Sequence, residues 1–305
     1  MPFLDEPSVA IILVNWNGME DTKRCLRSLD AVSYPRKEVL VVDNGSNPHE
    51  VAELEAIDGI HKIFNSENLG FTGGNNVGIR WALEQAMDLI LLLNNDTEVE
   101  RNFLEPLLKV ITDPDVGAVQ PKIRYLERRD TIWNAGGRFS DFTGQTSVMY
   151  KDVIDTNLPQ EPYEVHWITG CALMFEASLA QEVGVLDDSF FAYFEDVDYS
   201  LRLRKKARLI CVPESVVYHA VSSASKTKTK GSEGYVSASV HYLNVRNHLY
   251  LVRKHMRSIG LGVSVTFQTL RFCLMVVYFL LRRRFKKLSA AARGYRDGWQ
   301  LSVRQ

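Results

Sequence analysis

LILLLNNDTEVE, residues Leu89 to Glu100, is the stretch that decides the fold. An almost wholly apolar strand runs into Asn94-Asn95-Asp96, so a buried element ends by presenting two carboxamides and a carboxylate at its carboxyl end. In an α/β sheet that edge is where ligands sit. A carboxylate there is a hard oxygen ligand of the kind that holds Mg²⁺ or Mn²⁺ against a diphosphate without enclosing the ion. Taken alone, NNDT also reads as a turn with an Asx-type helix cap, so its neighbours in the sequence carry the decision.

Outward from Leu89 the pattern alternates. VAIILVNW (Val9 to Trp16) reads as a strand, MEDTKRCLRSL as a helix, VLVVDN (Val39 to Asn44) as a strand and HEVAELEAI as a helix. IHKIFN, a helix from Gly73 to Ala86, LILLLN and VGAVQPKI continue the series. Strands alternating with helices predict a mostly parallel, Rossmann-like sheet with helices on both faces. Between Arg124 and Val165 the pattern decays into an irregular insertion. It resumes with VHWITGCALMF, a helix from Glu195 to Ala207, and the strands LICVP and SVVYHA. Residues 222–234 are small, basic and Gly-bearing, a candidate mobile loop.

With 305 residues, 46% of them hydrophobic, the chain can bury one large core or two modest ones and is neither disordered nor fibrous. Its four cysteines form no CxxC pair and lie near no His at zinc-finger spacing, so a reducing compartment is expected. The acids in MPFLDEPSVAIILV precede the first apolar run, unlike the basic start of a signal peptide. The net charge of −1 conceals an asymmetry: from Arg253 to Gln305 there are twelve Lys or Arg residues against one acid, Asp297. That tail holds the run FCLMVVYFLL (Phe272 to Leu281), followed by Arg282, Arg283, Arg284, Lys286 and Lys287. The run is short of the roughly 20 apolar residues a membrane span needs, and Gln268 and Arg271 interrupt it upstream. An apolar segment with a polybasic flank fits an anionic membrane surface or docking on a membrane partner, with a core helix bearing a solvated basic end as the alternative. Nucleic acid is not expected, since aromatic and basic residues do not interleave on a sheet-like segment.

The strand ends carry chemistry suited to a nucleotide. Asn15 and Asn17 follow the first strand, Asp43 and Asn44 the second, and Glu67, Asn68 and Gly70 the third. An acid after the second strand is the usual means of engaging a ribose or base. In NLGFTGGNNVGIR, Gly73 and Gly74 are expected at a helix start, where backbone amides can approach a phosphate or sugar. No GxGxxG follows the first strand and GxxxxGK[ST] is absent from the sequence, which argues against a nicotinamide dehydrogenase and a P-loop nucleotidase. A second constellation, FFAYFEDVDYSLRLRKKA (Phe190 to Ala207), places Glu195, Asp196 and Asp198 behind a block of aromatics. On a helix Glu195 and Asp198 share a face, and Asp198 stands four residues before Arg202 as a structural ion pair. Asp196 is left over: anionic in a first helical turn, with apolar surroundings that raise its pKa, it is a candidate general base. His219 ends an apolar strand. His241, His248 and His255 recur along a helix and are expected on its surface.

The ordered motifs VNWNG, VVDNGS, NLGFTGGNN, LLLNNDT, WITGCALMF, FFAYFEDVDYSLR and VVYHA resemble glycosyltransferase family 2, most of all its bacterial rhamnosyltransferase-like branch, over roughly residues 8–255. The resemblance implies a GT-A fold, a nucleotide-sugar donor across the strand ends and inverting transfer by direct displacement. By position it implies that Asp43 contacts the base and that Gly74 and Asn75 line the donor. Asp96 would hold the divalent metal as the last member of a DXD-like motif, with His219 a further metal or diphosphate ligand, and Asp196 would be the base on the acceptor hydroxyl. Asn95 and Glu195 join the substrate-binding set, and Trp167, Gly170 and Cys171 read as either core sheet or an acceptor-side wall, the wall favoured because the indole is available to stack on a sugar. Asn94 and Asn95 replace acids often found there, which implies weaker metal binding in the absence of donor. The expectation is a GT-A domain over residues 1–255, its nucleotide-binding half about 1–120, and a helical membrane-associating tail over 256–305. The enzyme is expected to use dTDP-rhamnose or a UDP-sugar and to extend a glycan or lipid-linked acceptor in cell-surface polysaccharide synthesis, peripherally at the cytoplasmic face of the membrane. A sugar nucleotidyltransferase lacks its Gly-rich, Arg-bearing loop here, and the rival outside enzymes is a catalytically silent glycan-binding scaffold.

Overall fold

The computed structural model describes residues 6–156, 159–221, 226–231 and 233–303. The apolar runs form strands β1 (Val9–Asn15), β2 (Lys37–Asn44), β3 (His61–Asn65) and β4 (Leu89–Leu93), followed by β5 (Thr97–Val99) and β6 (Val116–Tyr125). Strands β7 (Ile132–Asn134), β8 (Tyr163–Glu164), β9 (Ala172–Glu176) and β10 (Arg208–His219) complete one ten-stranded sheet in the order β8-β10-β6-β9-β4-β1-β2-β3, with β5 on β10 and β7 on β6. The β3-β2-β1-β4 half is parallel, and β9 runs antiparallel between β4 and β6. The strand order reverses between β1 and β4, a switch point whose carboxyl-end crevice is the place for a ligand.

Helices α1 (Met19–Asp30), α2 (Pro48–Glu55), α3 (Gly70–Glu84), α4 (Leu104–Ile111), α5 (Ala177–Val183) and α6 (Glu195–Leu203) cover both faces. Alternation along β1 sorts the cores: Val9, Ile11 and Leu13 meet Cys25, Leu29 and Leu107 on one side, while Ala10 and Ile12 meet Ile79, Tyr199 and Leu203 on the other. At Gly78 of α3 a Cβ would stand 2.3 Å from Ile12 Cγ2, so a side chain there would force the helix off the sheet.

Several expectations change. Helix α3 starts at Gly70, because the Asn68 carboxamide accepts the Gly70 N–H at 2.8 Å and opens the helix three residues early. LICVP and SVVYHA are one strand, broken in register between Val212 and Val216, where Pro213 cannot donate to the ladder. Of VHWITGCALMF, Ala172 to Phe175 belong to strand β9 and Trp167 to Cys171 form a loop. Within the insertion, the Asp155 carboxylate is buried against Lys122 and Arg124 of β6 and ties that segment to the sheet. Of the candidate loop, residues 222–225 and 232 lie outside the described residues, while Lys226–Gly231 and Gly234–Val236 pair as an antiparallel hairpin.

The chain divides into two compact units, the first comprising residues 1–138, 148–191 and 195–221, the second 139–147, 192–194 and 222–305. The boundary drawn at 255 thus falls inside the second unit. That unit is built on α7 (Ala238–His255), α8 (Ser258–Leu281) and α9 (Phe285–Gln300). At Gly294 and Gly298 a Cβ would meet the backbone of Tyr242 and Arg246 at 2.4 and 2.8 Å, so α9 lies directly on α7 along a glycine seam. Helix α8 exceeds the ten-residue run read from sequence and is long and apolar enough to cross a membrane. Its apparent interruptions turn inward: the Gln268 amide lies 3.0 Å from His248 Nε2, and Arg271 donates to Gln145 Oε1 at 2.9 Å. Ile259, Leu270, Leu274, Val277 and Leu281 are exposed on α8. His248, expected on a helix surface, is buried, stacked on Phe194 and donating to Gly144 O at 2.7 Å. Burial pushes its pKa down to about 4, with the Arg271 charge adding to the shift, so it is a neutral packing residue at pH 7.

Candidate functional site

At the switch point the polar strand ends bind one another first. Asn95 Nδ2 donates to Thr22 Oγ1 at 2.9 Å, Thr22 donates to Asn15 Oδ1 at 2.9 Å, and Asn15 Nδ2 donates to Asp43 Oδ2 at 3.1 Å. Asp43 Oδ1 accepts the Ser46 N–H at 2.9 Å. This chain of bonds joins the ends of β4, β1 and β2 to α1 and satisfies groups that are otherwise costly to bury. Asp43 is 1% exposed, so the structure corrects its expected direct contact with a base: it braces the rim. Asn17 Oδ1 accepts both the backbone N–H and the amide of Asn47 at 3.0 and 2.7 Å, fastening the β1 turn to the cap of α2. Between Asn15 and Asn17 stands Trp16, 53% exposed, a residue the motif reading passed over.

The glycine cluster also plays a different part. Gly73 and Gly74 sit inside α3, where a Cβ on Gly74 would stand 2.8 Å from Val14 Cγ1, so Gly74 serves close helix-to-strand packing. Asn75 is buried and donates to Phe71 O within the helix at 2.8 Å. Of the amides at the start of α3, Gly70 N–H is held by Asn68 and Thr72 N–H by Phe191 O at 3.0 Å. Asn68 therefore fastens the entry to the helix from just outside its cap residue, Leu69, and the expected phosphate cradle at Gly73 and Gly74 does not form.

The metal candidates do come together. His219 Nε2 lies 3.0 Å from Asp96 Oδ1 at the ends of β10 and β4, and Asn94 Nδ2 is 3.4 Å from the same nitrogen. The far ring nitrogen, Nδ1, is buried without a hydrogen-bond partner, and the edge of Trp133 packs on the ring at 4.3 Å. Among the described residues no group of three His, Cys, Asp or Glu side chains is placed to hold an ion. One carboxylate and one imidazole fit a Mg²⁺ or Mn²⁺ that takes its other ligands from a bound diphosphate and water, a donor set Mg²⁺ commonly accepts.

Asp196 is not the free group that helix geometry implied. Its Oδ2 accepts the Gly170 N–H at 3.0 Å and its Oδ1 the Val197 N–H at 2.8 Å. The Thr169 side chain and the Asp196 backbone amide add to the donors around the carboxylate. Burial nevertheless raises its pKa against the lowering effect of those bonds. Gly170 is fixed from both sides, since a Cβ would meet the Phe71 ring at 3.1 Å and Asp196 Cβ at 3.5 Å. The Cys171 thiol is buried, and burial first, then the charge of Asp96, push its pKa well up, with Asp196 contributing as well, so the thiol lies in the field of both carboxylates. Asp198 pairs with Arg202 at 3.0 Å as expected. Glu195 is buried with Oε2 unpartnered, and burial and the Asp196 charge raise its pKa well above the carboxylate range. Trp167 is corrected: it is 6% exposed, its indole N–H donates to Arg138 O at 3.1 Å and its ring fills the space over Gly137, so it has no open face for a sugar.

Phe191, Tyr193 and Phe194, ahead of α6, have φ of 63°, 69° and 70°, a left-handed run that non-glycine residues rarely adopt and that clusters at functional sites. Asn247 of α7, fully buried, donates to the carbonyls of Ala192 and Tyr193 at 2.8 Å each and holds that segment in place. Sequence spacing offered no signal for it.

The profile of the family described as "Glycosyl transferase family 2" matches residues 10–184. The chain is 25% identical over 302 residues to the low-salt glycan biosynthesis hexosyltransferase Agl10 of Haloferax volcanii, covering 96% of this chain and 91% of the relative. It is 24% identical over 306 residues to the N-acetylglucosaminyl-diphospho-decaprenol L-rhamnosyltransferase of Mycobacterium tuberculosis, covering 91% and 96%, and 23% identical over 258 residues to the dTDP-rhamnosyl transferase RfbF of Shigella flexneri, covering 82% and 84%. Among solved structures it is similar to GalNAc-T7 with UDP, GalNAc and Mn²⁺, with a TM-score of 0.63 at 17% identity over 83% of this chain, which spans 48% of that longer chain. It is also similar to the Pyrobaculum calidifontis mannosyltransferase PcManGT in complex with GDP-Man and Mn²⁺, with a TM-score of 0.57 at 15% identity over 98% of this chain and 89% of the other. At those identities the likeness speaks to the fold, which is GT-A.

Proposed function

The chain belongs to glycosyltransferase family 2 and acts in glycan biosynthesis, and on that premise we propose that it transfers a sugar, with inversion, from a nucleotide-sugar donor to a glycan or lipid-linked acceptor of the cell surface. The observation that carries the reading is the meeting of Asp96 and His219 at the carboxyl ends of β4 and β10, together with Asp196 of α6, held by the Gly170 amide. dTDP-rhamnose is the favoured donor, supported by the two rhamnosyltransferases among the relatives, with a UDP-sugar the alternative. Asp96 and His219 would hold a divalent cation, which supplies charge neutralisation at the departing diphosphate. The network through Asn15, Asp43 and Asn95 fixes the donor-side rim, and the exposed Trp16 ring is suited to stack on the base, the part Asp43 is too buried to play directly.

Asp196 takes the proton of the acceptor hydroxyl as that oxygen bonds to the anomeric carbon and the bond to the diphosphate breaks, releasing nucleoside diphosphate. The Gly170 amide holds the carboxylate in place, and its raised pKa makes it a stronger base than an exposed aspartate. For the tail, the exposed apolar face of α8 with Arg282, Arg283 and Arg284 at its end supports a peripheral seat on the anionic cytoplasmic face of a membrane. A spanning α8 would drag the charged helix α9, packed beside it, into hydrocarbon. The test is release of nucleoside diphosphate from dTDP-rhamnose and from UDP-sugars, with Mn²⁺ or Mg²⁺ and an isoprenoid-linked glycan acceptor. Absence of both transfer and donor hydrolysis across that set would favour a silent scaffold.

A further inference from the structure

The second unit contains a cavity of about 80 Å³ that none of the preceding roles uses. Phe194, Phe272, Met275 and Tyr295 supply apolar walls, and His248, Gln268 and Arg271 the polar side. Tyr295 stacks on Phe272 at 4.4 Å and Phe194 on His248 at 4.8 Å, so the walls are built of ring pairs. Arg271 is exposed where the cavity reaches the surface. Its guanidinium meets neutral acceptors, Gln145 Oε1 at 2.9 Å and His248 Nδ1 at 3.4 Å. With Nε2–H donating to Gly144 O, neutral His248 has the Nδ1 lone pair to offer Arg271. Among the described residues no carboxylate stands within ion-pair distance of Arg271, so an exposed cation is held in position by neutral acceptors with no anionic side chain beside it. An apolar recess with an unneutralised guanidinium at its mouth is complementary to a phosphate ester on a hydrocarbon chain.

We propose that this cavity binds the first isoprenoid unit of a polyprenyl-phosphate-linked acceptor, with Arg271 on the phosphate; this rests on the transferase reading above. The recess is small and mostly apolar, which suits a branched hydrocarbon unit better than a sugar ring with its hydroxyl shell. The exposed apolar residues Leu270 and Leu274, on the same helix as Arg271 and Met275, offer a path for the rest of the chain. Phe194, one wall of the cavity, immediately precedes Glu195 and Asp196 in the chain, so an occupant would bear on the segment that leads into the base.

Calorimetry on the full chain with farnesyl phosphate, below its micelle concentration, tests the proposal against farnesol, inorganic diphosphate and n-dodecyl phosphate. Farnesyl phosphate is expected to bind at least tenfold more tightly than any of the three. Arg271→Gln should weaken it tenfold or more, and Met275→Trp, which fills the recess, should abolish it. Equal binding to wild type and both variants overturns the site. Equal binding of n-dodecyl phosphate, or displacement of farnesyl phosphate by phosphatidylglycerol vesicles, overturns the acceptor assignment in favour of a general anionic-lipid contact. Nucleoside diphosphate with Mn²⁺, titrated into the same samples, reads the donor site separately: its retention in both variants shows that they are folded, and its failure in wild type counts against the transferase reading alone.

Discussion

Asp196→Asn separates proton transfer from architecture. The carboxylate accepts the backbone N–H groups of Gly170 at 3.0 Å and Val197 at 2.8 Å, with the Thr169 side chain and its own amide as further donors. A carboxamide has one oxygen, so one of those amides loses its acceptor and faces an NH₂ donor. Leaving such a group unpaired costs about 1–3 kcal/mol of stability, which lowers the melting temperature without unfolding the chain at 25 °C. Loss of a positioned base costs more where it matters, about 10²- to 10⁴-fold in turnover, or about 2.7–5.5 kcal/mol at the barrier. The assay is transfer with saturating donor and acceptor, read as nucleoside diphosphate release, beside a thermal melt and donor calorimetry on the same sample. Because burial raises the Asp196 pKa, the wild-type rate should climb with pH through a limb lying above the usual aspartate range, as the base sheds its proton. That limb should vanish in the variant. Turnover within tenfold of wild type at unchanged donor affinity would refute the assignment, and Glu195 would be tested next.

Asp198→Asn should do the reverse: the Asp198 carboxylate is fully buried against Arg202, which keeps the carbonyls of Val183 and Val185, so the loss should be about 3–5 kcal/mol of stability, measured by denaturant melts, with turnover per folded molecule little changed. Asp96→Ala should abolish the Mn²⁺-dependent part of nucleoside diphosphate binding in calorimetry; unchanged affinity would reduce NNDT to a turn. Glu195→Gln should stabilise the fold at neutral pH. Its carboxyl holds a proton in the folded state that the unfolded chain gives up near pH 4.5, so stability is lost as pH rises above that value, and the gain from Gln, about 1–3 kcal/mol, should be larger at pH 7.5 than at pH 4.5. Leu270→Glu with Leu274→Glu, both at exposed positions, should release the protein from anionic liposomes in sedimentation while sparing donor binding; equal sedimentation would sink the membrane seat.

The alternation of β1 to β4 with their helices was legible because buried strands must be apolar, and the ends of those strands were legible as places where polarity abruptly returns. Direction was not. Asn15, Asp43 and Asn95 are the right residue types for a nucleotide rim, yet their first partners are each other, and that follows from which strands lie side by side. Trp16 and Trp167 illustrate the same limit: sequence assigns both an indole, while only packing reveals that Gly137 leaves room for one ring to bury and that the other stands in the open. Along α8, Gln268 and Arg271 looked like interruptions because their partners, His248 and Gln145, are remote in the chain. The pairing of Asp96 with His219 joins residues remote in sequence and was reached through motif order, since neither strand alone announces it.

The glycine seam of α9 also sets an order of events at the ribosome. Tyr242 and Arg246 of α7 present bare backbone to Gly294 and Gly298, and translation delivers α7 and the whole of α8 before either glycine emerges. Every segment of the α/β unit, by contrast, has been synthesised by Val221. The nascent chain therefore passes through an interval in which that unit has all its residues while α7 and the apolar α8 wait uncovered, the kind of exposed surface that invites chaperones or a nearby bilayer. Adding a methyl group at either glycine would prolong the interval indefinitely, and the defect would appear as aggregation during synthesis rather than as an altered rate of sugar transfer.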